Sequence, residues 1–303
     1  MDGVGLAMLK SAELGVLYAI MALGVYLTFR ILDFPDLTVD GSFTTGAAIV
    51  ALSITSGMSP WLGTLLAFVG GGIAGMITGI IHTKGKINAL LSGILMMIAL
   101  HSINLRIMGK ANIGLMQKET LLTPISHGFT LLIVMGAFAM LIKFGLDWFL
   151  RTEIGLSLRA TGNNSRMIRS FGVHTDNTII LGVSLSNALV ALSGALVAQS
   201  QGFADIQSGV GMIVVGLASV IIGEAIFGHR TILRATFAVV LGAVLYRIII
   251  AVAMRLQMNA TDLKLLTSII VIVALTIPMI RKTLHQRRAS RLRAFQTIEK
   301  GGE

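Results

Sequence analysis

The sequence predicts an all-α, polytopic integral membrane protein, and three observations support this fold class. The 303 residues have a mean hydropathy of +0.85 and only 13% charged residues, a composition that would leave a soluble domain with too much exposed apolar surface. Several apolar runs reach the roughly 20 residues that a membrane-spanning helix needs. These runs are rich in Leu, Ile, Ala and Gly, and they lack the alternating pattern of membrane β-strands.

Nine apolar stretches are candidates for membrane-spanning helices, and we expect about 8–10 helices in the fold. The candidates cover residues 11–29, 37–56, 61–83, 88–108, 128–149, 176–200, 210–227, 232–254 and 263–280. We expect one transmembrane domain over residues 1–280, which includes a cytoplasmic loop at 151–175, and a basic cytoplasmic tail over residues 281–303. The N-terminal residues lack the cleavage site of a secretory signal, so we expect the first span to be retained.

The distribution of positive charge orients these spans. The net charge is +10, and the loop at 151–175 contains four arginines. Seven further cations lie in the tail, namely Arg281, Lys282, Arg287, Arg288, Arg291, Arg293 and Lys300. Since positive residues collect on the cytoplasmic side, both segments are predicted to lie inside and the N-terminus outside. Orientation and attraction to anionic membrane lipid explain this charge, and nucleic acid is not an expected partner.

The polar loop at 151–175 predicts a short helix outside the bilayer. Asn163 and Asn164 are favourable N-cap residues, and Gly172 is a natural C-terminal stop. The helix between them has one apolar face with basic flanks, formed by Met167, Ile168 and Phe171 and by Arg166 and Arg169. A helix this short is not stable alone. It therefore needs a surface on which to dock, either its own membrane domain or a partner.

The second apolar stretch opens with polar residues at a depth where such groups are costly. Pro35 and Gly41 predict a broken or partly inserted helix, whose free N–H groups would face a water-filled cavity and attract an anionic group. The residues that we expect along this cavity are Asp36, Thr38, Asp40, Ser42, Phe43 and Thr44. The alternative is that Asp36 or Asp40 only caps the helix.

Two other intramembrane charges, Glu224 and Arg247, predict an assembly or gating contact. They are expected either to form a buried pair or to leave Glu224 at the cytoplasmic boundary, bonded to the adjacent turn. The dispersed histidines do not have the spacing of a metal site, so no metal is expected. The chain contains no cysteine, which excludes disulfides and thiolate chemistry.

The two halves of the chain show a faint internal similarity. Residues 34–37 (FPDL) follow the first span, and residues 203–206 (FADI) follow the span after the loop. In the predicted topology they lie on opposite faces of the membrane, as an inverted repeat with a pathway near the midplane requires. Gly71, Gly75 and Gly79 have the spacing of a close helix contact, internal or between subunits, with a glycine-lined pore as the alternative.

Three segments resemble a known family. They are LGVLYAIMALGVYLTFRI (14–31), DFPDLTVDGSFTTGAAIVA (33–51), and IGLSLRATGNNSRMIRSFGV (154–173) leading into LGVSLSNALVALSGALVAQ (181–199). Together they resemble the membrane subunits of ATP-binding-cassette (ABC) importers, in the branched-chain amino acid permease group, over about residues 15–280. The resemblance implies a permease of the bacterial plasma membrane that is not itself an enzyme, and it identifies residues 163–172 as the coupling helix.

The resemblance also implies partners and a cargo class. Cytoplasmic ATPase subunits would bind ATP and receive the coupling helix, an extracytoplasmic binding protein would deliver the substrate, and a second permease subunit, expected to be an identical copy, would complete the path. No cofactor is expected on this chain. Where many relatives have Asn-Phe-Ala-His-Gly, residues 36–41 read DLTVDG. This departure points away from branched-chain cargo, toward an aromatic amino acid or another small organic molecule.

Two other classes of protein were weighed against an importer subunit. An ion-coupled secondary transporter would need coupling carboxylates within its spans, and the sequence offers only Glu224 and Asp40. An intramembrane enzyme would need a catalytic pair at membrane depth, and none is visible. The GxxxxGK[ST], HExxH and GxSxG patterns are absent. The lack of a phosphate loop fits a permease whose ATP is bound by a partner subunit.

Overall fold

The computed structural model describes residues 3–123 and 129–255, together with Leu265, Ser268, Ile269, Ile272, Val273 and Thr276. These residues confirm the all-α class. The helices are α1 (Gly3–Tyr26, continued by a π-helical turn at Leu27–Ile31), α2 (Thr38–Thr55), α3 (Pro60–Thr83), α4 (Ala89–Met108), α5 (Phe129–Phe149), α6 (Glu153–Ser170), α7 (Thr175–Gln201), α8 (Met212–Phe227) and α9 (Ile232–Arg255). Two short strands, β1 (Asn112–Gly114) and β2 (Phe203–Asp205), pair in antiparallel register.

The predicted spans coincide with helices wherever the structure describes them. Eight of the nine candidates fall on α1 to α5 and α7 to α9, whereas the candidate at 263–280 and the tail at 281–303 lie outside the described residues, apart from a few isolated positions. By length and composition, six of the described helices are able to cross a membrane: Met8–Ile31, Pro60–Thr83, Ala89–Met108, Phe129–Phe149, Thr175–Gln201 and Ile232–Met254. The helices α2 and α8 are shorter.

The two halves pack against each other reciprocally. The helix α3 packs along α7 and α1 packs along α9, while α2 lies on α3 and α8 lies on α9. Suppose that α1, α2 and α3 of the first half correspond to α7, α8 and α9 of the second half. The contact of α3 with α7 then corresponds to the contact of α9 with α1. The helices α1 and α7 also run in opposite directions, because Ile31 at the end of α1 and Thr175 at the start of α7 both adjoin α6. This arrangement is the one that an inverted repeat predicts.

The glycines of α3 serve internal packing. A Cβ atom at Gly71 or Gly75 would collide with the backbone of α7, and one at Gly79 would lie 2.8 Å from the Cα of Ile180. Small residues at this spacing let the two helix backbones approach closely. Of the alternatives, the structure supports the internal contact for this stripe, because α7 occupies the space that a pore would need.

The predicted break at the start of the second span falls at Pro35 and not at Gly41. The chain leaves the π-helical turn, passes Pro35 and begins α2 at Thr38. The helix then continues through Gly41, so the prediction of a break there is wrong. A Cβ atom at Gly41 would lie 2.8 Å from Leu100 of α4. The lack of a side chain at Gly41 therefore serves the close contact between α2 and α4.

Candidate functional site

The carboxylate of Asp40 caps the N-terminus of α8. Its Oδ2 accepts a hydrogen bond from the backbone N–H of Gly211 at 2.9 Å, and its Oδ1 accepts one from Ile213 at 2.8 Å. The first N–H groups of a helix lack intrahelical partners and carry the positive end of the helix dipole. Because Asp40 lies in the first turn of α2, this contact joins the two halves of the protein.

The capped end of α8 lies inside the protein, not at its outer surface. After β2, residues 206–211 turn back toward α2, where the N–H of Gly209 donates to Thr44 Oγ1 at 3.1 Å. This part of α2 packs beside Gly194, well within α7. The 16 residues of α8 extend for about 24 Å, less than the roughly 30 Å hydrocarbon core. Broken helices that end near the midplane are typical of transporter binding sites.

A cavity of about 380 Å³ adjoins this cap. It lies between α2, α4 and the segment 206–211. Its polar lining residues are Asp40, Thr44, His101, Ser102 and Asn104, and its apolar ones are Met97, Ile98, Ile206 and Val210. The cavity therefore offers a carboxylate, hydroxyls, an imidazole and an amide beside aliphatic walls. Such a lining suits a small solute that has both a charged and an apolar part.

Only some of the predicted cavity residues are placed there. Asp40 and Thr44 line the cavity, and their contact with substrate remains a prediction. Four others are buried in the interior, namely Asp36, Thr38, Ser42 and Phe43. The ring of Phe43 is 1% exposed and stacks on Tyr18 with centroids 6.0 Å apart. The burial of these four side chains favours a role in internal packing over a role in lining the cavity in the described conformation.

Asp36 belongs to a buried polar network. Its Oδ2 accepts from Asn187 Nδ2 at 2.6 Å, and its Oδ1 accepts from the backbone N–H of Thr38 at 2.8 Å. The hydroxyl of Thr38 lies 2.9 Å from that of Thr78. The network ties the start of α2 to α3 and α7. Asp36 accepts from the first N–H group of α2. Asp40 caps α8 and also lines the cavity.

The α4 residues of the cavity were missed by sequence reasoning. His101 and Ser102 are exposed on a helix that is otherwise strongly apolar, while Asn104 is buried and donates through Nδ2 to the carbonyl of Gly41 at 3.2 Å. Three polar side chains within four residues of an apolar span were the available signal. Metal-ligand spacing alone does not reveal His101, because its neighbours in the cavity are not metal ligands in a regular pattern.

A second missed feature is a buried ion pair in α5. Lys143 Nζ lies 2.6 Å from Asp147 Oδ2, and both side chains are 4% exposed. The hydroxyl of Thr236 donates to Asp147 Oδ1 at 2.7 Å, which connects α5 to α9. The two charges are four residues apart, the spacing that places side chains on one helix face. That spacing was a local signal that the sequence analysis overlooked.

The predicted pair of Glu224 and Arg247 does not form. Glu224 Oε1 lies 3.0 Å from Nε of Arg30, at the cytoplasmic end of α1. The guanidinium of Arg247 lies over the ring of Tyr18, 4.5 Å from its centroid. Packing of the two halves brings the last turn of α8 to the end of α1, so the nearest cation in sequence is not the nearest in space. The other interpretation, which places Glu224 at the cytoplasmic boundary, agrees better with the observed position of this side chain.

The segment 151–175 has the caps that the sequence predicts. An extended residue, Asn164 (φ −159°, ψ 90°), divides α6 into two helices. Its Oδ1 accepts from the backbone N–H of Met167 at 3.1 Å, and Gly172 takes a left-handed conformation with φ +83° after the last turn. The first of these two helices begins at Glu153, with Thr152 as its N-cap, and was not predicted.

The second helix of α6 presents apolar side chains outward. Met167 is 50% exposed and Phe171 is 73% exposed, while Ile168 is half-buried. Arg169 donates to Thr175 Oγ1 at 2.6 Å and to Asp176 Oδ1 at 2.8 Å, which anchors this helix to the start of α7. An exposed apolar patch on an anchored helix is typical of a protein docking surface.

The chain belongs to a family of transport proteins. The sequence profile described as "Branched-chain amino acid transport system / permease component" matches residues 7–276. The fold and this match define the protein as a multi-pass membrane subunit of an ABC transporter. Such a permease is not an enzyme, since ATP hydrolysis in these systems belongs to partner subunits.

Several known proteins are similar to this chain. The tyrosine transport system permease protein of Clostridioides difficile (strain R20291) is 45% identical over 260 residues, which cover 86% of this chain and 87% of the relative. An uncharacterized protein of Rickettsia prowazekii (strain Madrid E) is 34% identical over 89% of this chain and 96% of its own length. A metal-chelate type ABC transporter in an inward-facing conformation is 17% identical with a TM-score of 0.47, covering 91% of this chain and 85% of the other.

Proposed function

We propose that this permease forms the substrate path of an ABC importer whose cargo is an aromatic amino acid such as tyrosine. The observation that carries the proposal is the 45% identity to a tyrosine permease over 86% of the chain. The departure from the branched-chain pattern at residues 36–41 supports the same cargo.

The chemistry of the cavity is compatible with an amino acid. A carboxylate has about four lone-pair sites, and Asp40 uses two of them on the N–H groups of α8. The remaining sites are available to a substrate ammonium group. His101 and Ser102 offer hydrogen bonds to a substrate carboxylate or phenol, and the aliphatic side chains of Ile98 and Val210 provide an apolar wall.

The partners follow from the same proposal. The outward face of Met167 and Phe171 is the coupling surface for a cytoplasmic ATPase, and its caps, Asn163 or Asn164 and Gly172, set the length of the docking helix. The cavity is bordered by exposed residues of α4. We therefore expect an identical second permease subunit to close the path on that side. An extracytoplasmic binding protein would deliver the amino acid to the opposite end.

Uptake in the native host tests the proposed cargo. A strain that lacks this permease is complemented with the wild-type gene, and import of radiolabelled tyrosine is measured with unlabelled phenylalanine or leucine as competitors. We expect complementation to restore uptake, with phenylalanine competing better than leucine. Equal competition by leucine would identify a branched-chain transporter. Uptake that is lost at once with a protonophore but survives ATP depletion would support the ion-coupled alternative.

A further inference from the structure

A second cavity in the part of the chain that the structure describes is an apolar groove. It has a volume of about 850 Å³ and lies between α3, α5 and α7. Phe68 and Leu192 line one end, and Trp148 and Asn177 line the other. The cavity at Asp40 shares none of its lining residues. The groove is therefore a separate feature from the cavity at Asp40.

The groove begins at the end of the membrane domain where α7 starts. Along α7 it extends from Asn177, two residues after the helix begins, to Leu192. Fifteen helical residues span about 22 Å, compared with about 15 Å for one leaflet of a 30 Å hydrocarbon core. On α5 the lining begins at Ile142 and includes only the cytoplasmic half of the helix. The groove is therefore longer than one leaflet and extends from the end at Asn177 past the midplane.

The groove exists because α5 stands apart from α3 and α7. The helix α5 packs against α1 and α9, and the Lys143–Asp147–Thr236 contacts hold it there. Gly145 lies in the α5 wall, and a Cβ atom at this position would meet nothing within 4 Å. The opposite wall has Ser184, whose hydroxyl donates to the carbonyl of Gly72 at 2.7 Å and so offers no free donor to an occupant. An apolar occupant is therefore the one that suits these walls.

Positively charged residues follow the ends of α3 and α5, two of the helices that line the groove. The chain carries Lys84 and Lys86 directly after α3 and Arg151 directly after α5, and all three side chains are exposed. Within the part of the chain that the structure describes, none of these three forms an ion pair. Trp148, at the same end, is 72% exposed, as is typical of aromatic residues at the membrane interface.

We propose that this groove binds one anionic phospholipid of the cytoplasmic leaflet. Its acyl chains lie between α5 and α7, and its phosphate faces Lys84, Lys86 and Arg151. Anionic headgroups are attracted to clustered Lys and Arg residues near the membrane surface. The lipid fills the gap beside α7, a helix on which both halves of the protein pack. This inference does not depend on the identity of the transported solute.

A groove-filling substitution tests the site. In Gly145→Phe the ring enters the groove without a clash at its Cβ, so the variant is expected to fold and to exclude the lipid. Gly136→Phe is the matched control, because it lies on the same helix, its Cβ also meets nothing within 4 Å, and it does not line the groove. Each protein is purified in mild detergent, equilibrated with phosphatidylglycerol or phosphatidylcholine, and examined by native mass spectrometry.

We expect wild type and Gly136→Phe to retain one phosphatidylglycerol, and Gly145→Phe to retain none. The triple variant K84Q/K86Q/R151Q, which changes only exposed side chains, should lower the preference for phosphatidylglycerol over phosphatidylcholine by roughly tenfold or more. Retention of the lipid by Gly145→Phe, or equal retention of both lipids by wild type, would overturn the proposal. So would a change from dimer to monomer in Gly145→Phe, since it would identify a second copy as the occupant.

A photoactivatable phosphatidylglycerol provides an independent measurement that does not need a variant. After irradiation in vesicles and proteolysis, we expect labelled peptides from α5 and α7 around Gly145 and Ser184. Labelling spread evenly over all lipid-facing helices would indicate bulk lipid and contradict a specific site.

Discussion

Charged side chains at membrane depth are costly, and in this permease each of the prominent ones has a definite partner. Asp40 caps α8, and Lys143 neutralises Asp147. The loss of one partner in such a contact costs more free energy than it would in water, because lipid provides no replacement hydrogen-bond partner. Substitution of one partner therefore tests each contact at the scale of single residues.

The cap at Asp40 is expected to stabilise the protein measurably. In Asp40→Asn only one side-chain oxygen remains to accept, so one of the two N–H bonds is lost together with the negative charge. Hydrogen bonds to charged groups contribute about 1.5–3 kcal/mol, and we expect thermal unfolding in detergent to show a loss of that order. Asp205→Asn is the control, since Asp205 accepts from the N–H of Gln207 at 2.7 Å at an exposed position. An equal loss in both variants would contradict the assignment.

The ion pair in α5 should show strong coupling between its members. Lys143→Met leaves the carboxylate of Asp147 buried without its cation, and removing one partner of a buried pair costs about 3–5 kcal/mol. The double variant Lys143→Met with Asp147→Leu removes both charges and is expected to unfold at a higher temperature than the single variant. A double variant less stable than the single one would mean that the pair itself contributes little.

At the scale of elements, the exposed apolar side chains of the second helix of α6 support the proposed docking role. Phe171→Asp places a charge on the outward apolar face, where burial under a partner would leave the charge unpaired. We expect the variant to insert normally and to lose co-purification of its ATPase subunit. Met116→Asp, on the opposite side of the membrane at a residue that is 89% exposed, is the control and should retain the ATPase. Loss of the ATPase in both variants, or in neither, would remove the docking assignment.

The segments before α2 and α8 show how local chemistry repeats while its surroundings differ. In both, an aspartate accepts from the backbone N–H two residues later, at 2.8 Å for Asp36 and 2.7 Å for Asp205. The sequence similarity noted at these positions therefore corresponds to a shared turn. The turn at Asp36 is buried, whereas in the second turn Asp205 is half-buried and Gln207 is exposed, so the two turns have similar backbone hydrogen bonds in different surroundings.

At the scale of the whole molecule, the topology can be tested directly because the chain has no cysteine. Single substitutions Met116→Cys and Arg166→Cys place a thiol at exposed positions on opposite sides of the membrane domain. In intact cells without an outer membrane barrier, a membrane-impermeant maleimide is expected to label Met116→Cys only. Arg166→Cys should react after permeabilisation. The reverse pattern would invert the assigned orientation and place α6 outside.

Much of the fold was predictable because its determinants are local. Hydropathy located eight spans, seven of them within two residues of the observed helices and the first starting eight residues after α1 begins. The caps at Asn164 and Gly172 act over one turn. The sites were less predictable. The cavity joins residues of α2, α4 and the segment 206–211, and no local pattern indicates which face of α4 meets Asp40.

By itself, the sequence determines the fold class, the apolar helices and the short helix that Asn164 caps, since apolar length and capping residues act between neighbours. Only the tertiary structure decides which charges meet. Asp40 caps a helix 171 residues away, and Glu224 pairs with Arg30, which is 194 residues away. Within the membrane a polar group must find its partner in the protein, so packing of the two halves, and not spacing along the chain, selects that partner.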